Sequence, residues 1–207
     1  MMGNELEKKL DEAIWIAHTL FNRDKASGSI ANLSFIHNDL IYITGTGTCF
    51  GMLTKKDFAV VNLEGESINE IQPSKELPLH LSIYRAKESA KSVLHIHSTY
   101  SVLWSFVPDL NKLDCIPSYT PYLKMKLGTV GLVPYNYPGS KELLSGLNEV
   151  IKQCDGWLLA QHGPIVPGGS LLEAFYAIEE LEESAKIAWE IYNSDQSISA
   201  NANRRII

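Results

Sequence analysis

Apolar residues recur along this chain with two periods, and the switches between them mark the elements. Across residues 5–22, Leu6, Leu10, Ile14, Ala17 and Phe21 fall three or four positions apart, which predicts an amphipathic helix. From 26 to 51 the composition turns to strand formers broken by Gly, Asn and Asp. Residues 30–37 and 40–44 read as a hairpin around Asn38-Asp39. Further strands are expected at 58–63, 93–97, 130–134 and 156–161. Further helices are expected at 74–87, 99–106, 141–152 and 171–192. Pro78 falls in the first turn of the 74–87 helix, where its missing N–H is tolerated. Pro138-Gly139-Ser140 is a start signal for the 141–152 helix. A Gly-Pro turn follows His162, and the tail from Asn193 is polar. No repeat, low-complexity linker or domain break interrupts this order. Strands come first and are then interspersed with helices. The pattern predicts one α/β domain over residues 1–207, three-layer α/β/α with a mixed, mainly antiparallel central sheet.

Composition narrows the class. A chain of 207 residues, 45% hydrophobic and 20% charged, is long enough for a full core and ordinary enough to be globular. The net charge of −6 argues against a nucleic-acid surface, which needs clustered Lys and Arg. An acidic run at residues 173–183 is expected to be the wet face of the last helix. Cys49, Cys115 and Cys154 are odd in number and show no short metal-type spacing, so they read as reduced thiols. Residues 1–9 open with charge and lack an apolar signal core. No apolar stretch approaches the ~20 residues of a membrane span. A cytoplasmic protein with neither nucleic-acid nor membrane partners is expected.

Three of the six histidines stand where they can do chemistry. His95 and His97 are two apart at the end of an apolar run, and on a strand such residues share a face. His162 ends a second apolar run. Three imidazoles leave a divalent ion an open position, as a catalytic site requires; the alternative is a pair of packed or exposed strand histidines. Glu76, at the head of a predicted helix, could complete such a site or act as a base beside it. It could equally be a first-turn acid favoured by the helix dipole. Gly28-Ser29, Thr44-Gly45-Thr46-Gly47-Thr48 and Ser74-Lys75 supply the glycines, hydroxyls and lysine that hold phosphate, or they are simply turns. His80 lies one helical turn past Glu76 and reads as support for it or as a packed histidine.

Together these motifs resemble the class II aldolase/adducin family, over nearly the whole chain from Ala26 to Glu183. Within it the resemblance is nearest to the 3-oxo-tetronate 4-phosphate decarboxylases. The carriers are I-T-G-T-G-T-C-F-G-M-L (43–53), P-S-K-E-L-P-L-H (73–80), H-I-H-S-T-Y (95–100), T-P-Y-L-K-M (120–125), L-L-A-Q-H-G-P-I-V (158–166) and E-E-L-E-E-S-A (179–185). Lys75 and the Thr-Pro-Tyr segment point to the decarboxylase branch, since the family's aldolases tend to have serine at the position of Lys75.

The resemblance implies that His95, His97 and His162 bind Zn²⁺, Mn²⁺ or Co²⁺. Glu76 would be the acid/base and would ligate the metal when substrate is absent. Ser29, Thr46, Gly47 and Ser74 would match phosphate-loop positions. Tyr122 would match a tyrosine that reaches a neighbouring subunit's site, within a homotetramer. Ser29 and Gly45 depart from the family, where asparagine and proline are common. The implied substrate is a small phosphorylated sugar acid, which loses CO₂ through a metal-stabilised enediolate to give dihydroxyacetone phosphate. Lys75 would orient the substrate carboxylate or phosphate. L-fuculose 1-phosphate-type aldol cleavage is the alternative, because it passes through the same enediolate. Dehydration of methylthioribulose phosphate and a non-catalytic adducin-like module are weaker fits.

Overall fold

The computed structural model describes residues 2–194, with side chains from residue 5 onward. Helix α1 (Met2–Asn22) buries Leu10, Ala13, Ile16, Ala17 and Leu20, the three-and-four spacing of one face. Strands β1 (Asn32–His37) and β2 (Leu40–Thr44) form the expected hairpin. Asn38 and Asp39 turn it with φ of 49° and 59°, a conformation these two residue types tolerate. Next come β3 (Phe58–Asn62), α2 (Leu77–Ala86), β4 (Ser92–His95), α3 (Thr99–Trp104) and α4 (Tyr122–Lys126). The chain continues through β5 (Val130–Val133), α5 (Lys141–Val150), β6 (Gly156–Leu159), β7 (Gly163–Gly168) and α6 (Leu171–Asn193).

The seven strands form one sheet in the order β3-β2-β1-β4-β7-β6-β5, antiparallel throughout except for the parallel β5–β6 pair. Side chains alternate between its two faces, as the pleat demands. Leu94, Leu158 and Val166 point into a core shared with α1, α3, α4 and α6. Val93, Trp157, Leu159 and Ile165 point the other way, into a core shared with α2 and α5. Ile41 and Ile43 extend that second core onto Leu77 and Leu81 of α2. The three-layer α/β/α architecture with a mainly antiparallel sheet is therefore as the pattern predicts.

Several local expectations are corrected. The 93–97 strand ends at His95: Ile96 N–H still donates to the Pro164 carbonyl in register, and His97 lies beyond that last bond. The residues after His162 are a central strand, not only a turn. Two glycines and two prolines disguise β7, yet the Pro164 carbonyl still serves the ladder. Helix α2 starts at Leu77, after a turn in which the Leu77 N–H donates to the Ser74 carbonyl. Helix α4 has no counterpart in the sequence reading. The acidic run on α6 is not uniformly wet, since Glu182 is buried. The polar tail lies, from residue 195 on, outside the described residues. Among the described residues the three cysteines are unpaired, and no helix is long and apolar enough to cross a membrane.

Candidate metal centre and substrate cleft

Three separate segments bring four side chains to a common point. His95 closes β4, and its Nδ1 lies 2.8 Å from the Pro164 carbonyl on β7. That carbonyl can only accept, so Nδ1 carries the proton and Nε2 presents a lone pair to the centre. His97 follows two residues later, just before α3. His162 sits in the tight β6–β7 turn, where its N–H donates to the Leu159 carbonyl at 3.1 Å. The turn is drawn tight on both sides of His162. Gln161 adopts φ 59°, and Gly163 adopts φ 145° with its backbone against Ile96 and His97, just past β4. A Cβ on Gly163 would stand 2.1 Å from the Ile96 carbonyl oxygen, so only glycine lets His162 approach His95 and His97. Glu76 immediately precedes α2.

The Nε2 of His95 lies 2.9 Å from that of His97 and 3.3 Å from that of His162. The Glu76 carboxylate spans the remaining side, with Oε2 3.2 Å from His95 Nε2 and Oε1 3.1 Å from His162 Nε2. The four ligand atoms all lie within 4.8 Å of one another. Glu76 Oε1 is buried without a hydrogen-bond partner. Lone pairs that face one another without a donor between them repel, and a cation at their centre reverses the sign. Tetrahedral ligands at about 2.0–2.1 Å from a zinc ion stand about 3.3 Å apart, close to the separations found. Three imidazoles and a carboxylate thus fit a divalent metal.

Protonation favours the same reading. Burial drives the His97 imidazole down to about 3, helped by the proximity of His95 and His162. Burial likewise lowers His95. Neutral imidazole is the metal-binding form. Burial alone would raise the Glu76 carboxyl, but positive charge at the facing His95 and His162 and the Asn32 hydrogen bond more than offset it and hold it below the usual carboxylate range; with the imidazoles neutral, a bound cation would supply that charge. The group is an anion.

The centre forms the floor of a cleft of about 380 Å³. Ser29, Thr46, Gly47, Ser74 and Lys75 all line it, together with Glu76, His97 and His162, so the structure gathers the residues the sequence singled out. Pro138 and Gly139, which start α5, form part of its wall. Strand β2 ends at Thr44, and the following loop is pinned to residues 72–74 by hydrogen bonds from Thr46 N–H to Gln72 O and from Ser74 N–H to Thr44 O. Tyr122 stands apart. It lies on α4, is 57% exposed and does not line this cleft.

Two residues that brace the centre carry no assigned role in the sequence. Asn32 at the head of β1 donates from Nδ2 to Glu76 Oε2 at 2.7 Å and also lines the cleft. Nothing in its neighbourhood marks it, because the partner is 44 positions away. Glu182 is the second: it is buried on α6 against the start of α3, the segment that carries His97.

The family model of the class II aldolase and adducin N-terminal domain matches residues 11–189. A 3-oxo-tetronate 4-phosphate decarboxylase of Escherichia coli (strain K12) is 41% identical over 86% of this chain and 84% of its own length. An L-fuculose phosphate aldolase of Methanococcus vannielii is 36% identical over 90% of this chain and 99% of its own. The structure of YgbL from Escherichia coli superposes with a TM-score of 0.85 at 38% identity, covering 89% of this chain and 90% of that one. Sequence and fold agree in these likenesses: the chain belongs to the class II aldolase and adducin N-terminal domain family.

Proposed function

We propose that this protein is a metal-dependent carbon–carbon lyase that decarboxylates 3-oxo-tetronate 4-phosphate to dihydroxyacetone phosphate. The observation that carries the reading is the convergence of three histidines and Glu76 beneath a cleft rimmed by hydroxyls, glycines and one lysine. The 41% identity to decarboxylases supports the choice of substrate.

His95, His97 and His162 would hold the ion, with Glu76 as a fourth ligand until substrate arrives. Zinc is the proposed metal, with Mn²⁺ or Co²⁺ as substitutes, since imidazole and carboxylate suit all three. The ion supplies Lewis-acid polarisation of the substrate's keto and hydroxyl oxygens. Ser29, Thr46, Gly47 and Ser74 bind the phosphate, and the start of α2 adds its dipole. Lys75, exposed on the rim, orients the carboxylate that departs. The C1–C2 bond breaks, CO₂ leaves, and the electron pair left on C2 takes up one proton. Glu76 would deliver that proton after first taking one up from water or the substrate's hydroxyl, or Tyr122 of a neighbouring copy would supply it. The exposure of Tyr122, away from its own cleft, suits the second role and a homotetramer with sites between subunits. A soluble cytoplasmic location belongs to the same proposal.

Aldol cleavage of L-fuculose 1-phosphate is the second reading, favoured by the 36% identity to aldolases. Zinc-loaded protein is incubated with 3-oxo-tetronate 4-phosphate while dihydroxyacetone phosphate is followed with a coupled reductase. Product above the spontaneous background, lost in Glu76→Gln, is the expected result. No product from metal-loaded protein sinks the decarboxylase reading and turns the assay to ketose 1-phosphates.

A further inference from the structure

A chain of polar side chains leads from the metal centre into the protein between β1 and α2. Asn32 Nδ2 lies 2.7 Å from Glu76 Oε2, and Asn32 Oδ1 lies 2.6 Å from His80 Nε2. His80 Nδ1 lies 2.7 Å from Ser34 Oγ, which lies 2.7 Å from the Tyr84 hydroxyl. Asn32, Ser34 and His80 are buried. Two periodicities build this line. Asn32 and Ser34 are i and i+2 on a strand, and His80 and Tyr84 are i and i+4 on a helix, so each pair shares a face.

Every link has one permitted direction. Asn32 Nδ2 donates to Glu76 Oε2, so the amide turns its carbonyl toward His80. The His80 Nε2 must then carry hydrogen. Ser34 Oγ lies between His80 Nδ1 and the Tyr84 hydroxyl; it accepts from the phenol, which burial keeps protonated, and gives its own hydrogen to Nδ1, which is therefore a bare acceptor. An amide does not readily pass a proton along, so the chain conveys orientation and not charge.

We propose that His80, Ser34 and Tyr84 are positioning residues: through the amide of Asn32 they fix the Glu76 carboxylate at the angle its proton transfer needs. If the chain is broken, the Asn32 amide is free to flip. Its carbonyl oxygen then faces Glu76 Oε2, acceptor against acceptor, and the carboxylate turns away. The proposal rests on Glu76 being the acid/base of the proposed reaction, but the state of the chain can be read without any substrate.

The first arm is ¹⁵N NMR of the imidazoles in the zinc-loaded protein. His80 is expected as the Nε2–H tautomer, and Ser34→Ala is expected to mix the tautomers. The second arm is steady-state kinetics. Losing an orienting partner of a site residue typically costs about 10–100-fold. Ser34→Ala and Tyr84→Phe should lower kcat about tenfold, and His80→Leu about a hundredfold, with KM moving less than about twofold. His80→Gln, whose amide N–H reaches the Asn32 carbonyl, should recover about tenfold over His80→Leu. An Nδ1–H tautomer in the wild type overturns the proposal. So does a folded, zinc-loaded His80→Leu that turns over at the wild-type rate. An inactive wild type would defeat the functional reading alone, and the tautomer would still decide the chain.

Discussion

The Glu182 carboxylate receives both the main-chain N–H of Ser101 (2.9 Å) and its hydroxyl (2.6 Å). Ser98 Oγ at 2.7 Å and Tyr100 N–H at 2.9 Å complete a four-donor grip on the start of α3, next to His97. One acid on the last helix therefore holds the segment that carries a metal ligand. Glu182→Ala strands buried donors at a cost of about 3 kcal/mol. At this chain length that corresponds to a fall in Tm of about 6–12 °C. Zinc affinity, measured by competition with a chelating dye, should weaken at least about tenfold. Unchanged affinity would mean that the grip serves α3 and not His97.

Gly163→Ala places a methyl group on the Ile96 carbonyl and forces an unfavourable φ. The β6–β7 turn must retreat and carry His162 with it. Purified variant protein should hold less than stoichiometric zinc by elemental analysis, even where its circular dichroism matches wild type. A full zinc complement would show that the turn has slack.

Removing the metal should abolish turnover, and Zn²⁺, Mn²⁺ or Co²⁺ should restore it to different extents. The ion binds only where His95, His97, His162 and Glu76 are gathered, so it should also raise the melting temperature. A chelated protein that retains full activity would refute the metal-centred reading.

The metal-free protein should lose stability as pH falls below about 6.5. His80 titrates near 3 in the fold, well below its ordinary value, because burial disfavours its charge. A depressed folded value means that the unfolded chain binds the proton first. The contribution is whole above the unfolded value and is lost as pH falls toward 3. Its slope is about 1.4 kcal/mol per pH unit, one proton's worth. Urea titrations of wild type and His80→Gln between pH 7 and 4 should differ by that slope. Parallel profiles would contradict it.

Lys75→Ala should raise KM or lower turnover about tenfold or more, because charge-assisted contacts to an anionic substrate contribute roughly 1.5–3 kcal/mol. Lys75 lines the cleft and faces solvent, so folding should be untouched. Unchanged kinetics would return it to an ordinary helix-start lysine.

Much was legible in residue order alone. Local patterning determined most elements, the hairpin at Asn38-Asp39, the helix start at Ser140 and the layered architecture, because pleat and helix periods act over a few residues. Chemical type and position together singled out His95, His97, His162 and Glu76: two histidines at strand period, a third at the end of an apolar run and an acid at the head of a helix. Tertiary structure decided the rest. Strand β7 is hidden by its glycines and prolines, and it is a strand only because β4 and β6 flank it. Asn32, His80 and Tyr84 become one network only when β1 meets α2, and Glu182 meets Ser101 across 81 positions. A hydrogen bond is a relation between two places in space, and no local pattern carries it. The sequence therefore determined which residues could do the chemistry, while the packing of distant segments decided which of them face one another.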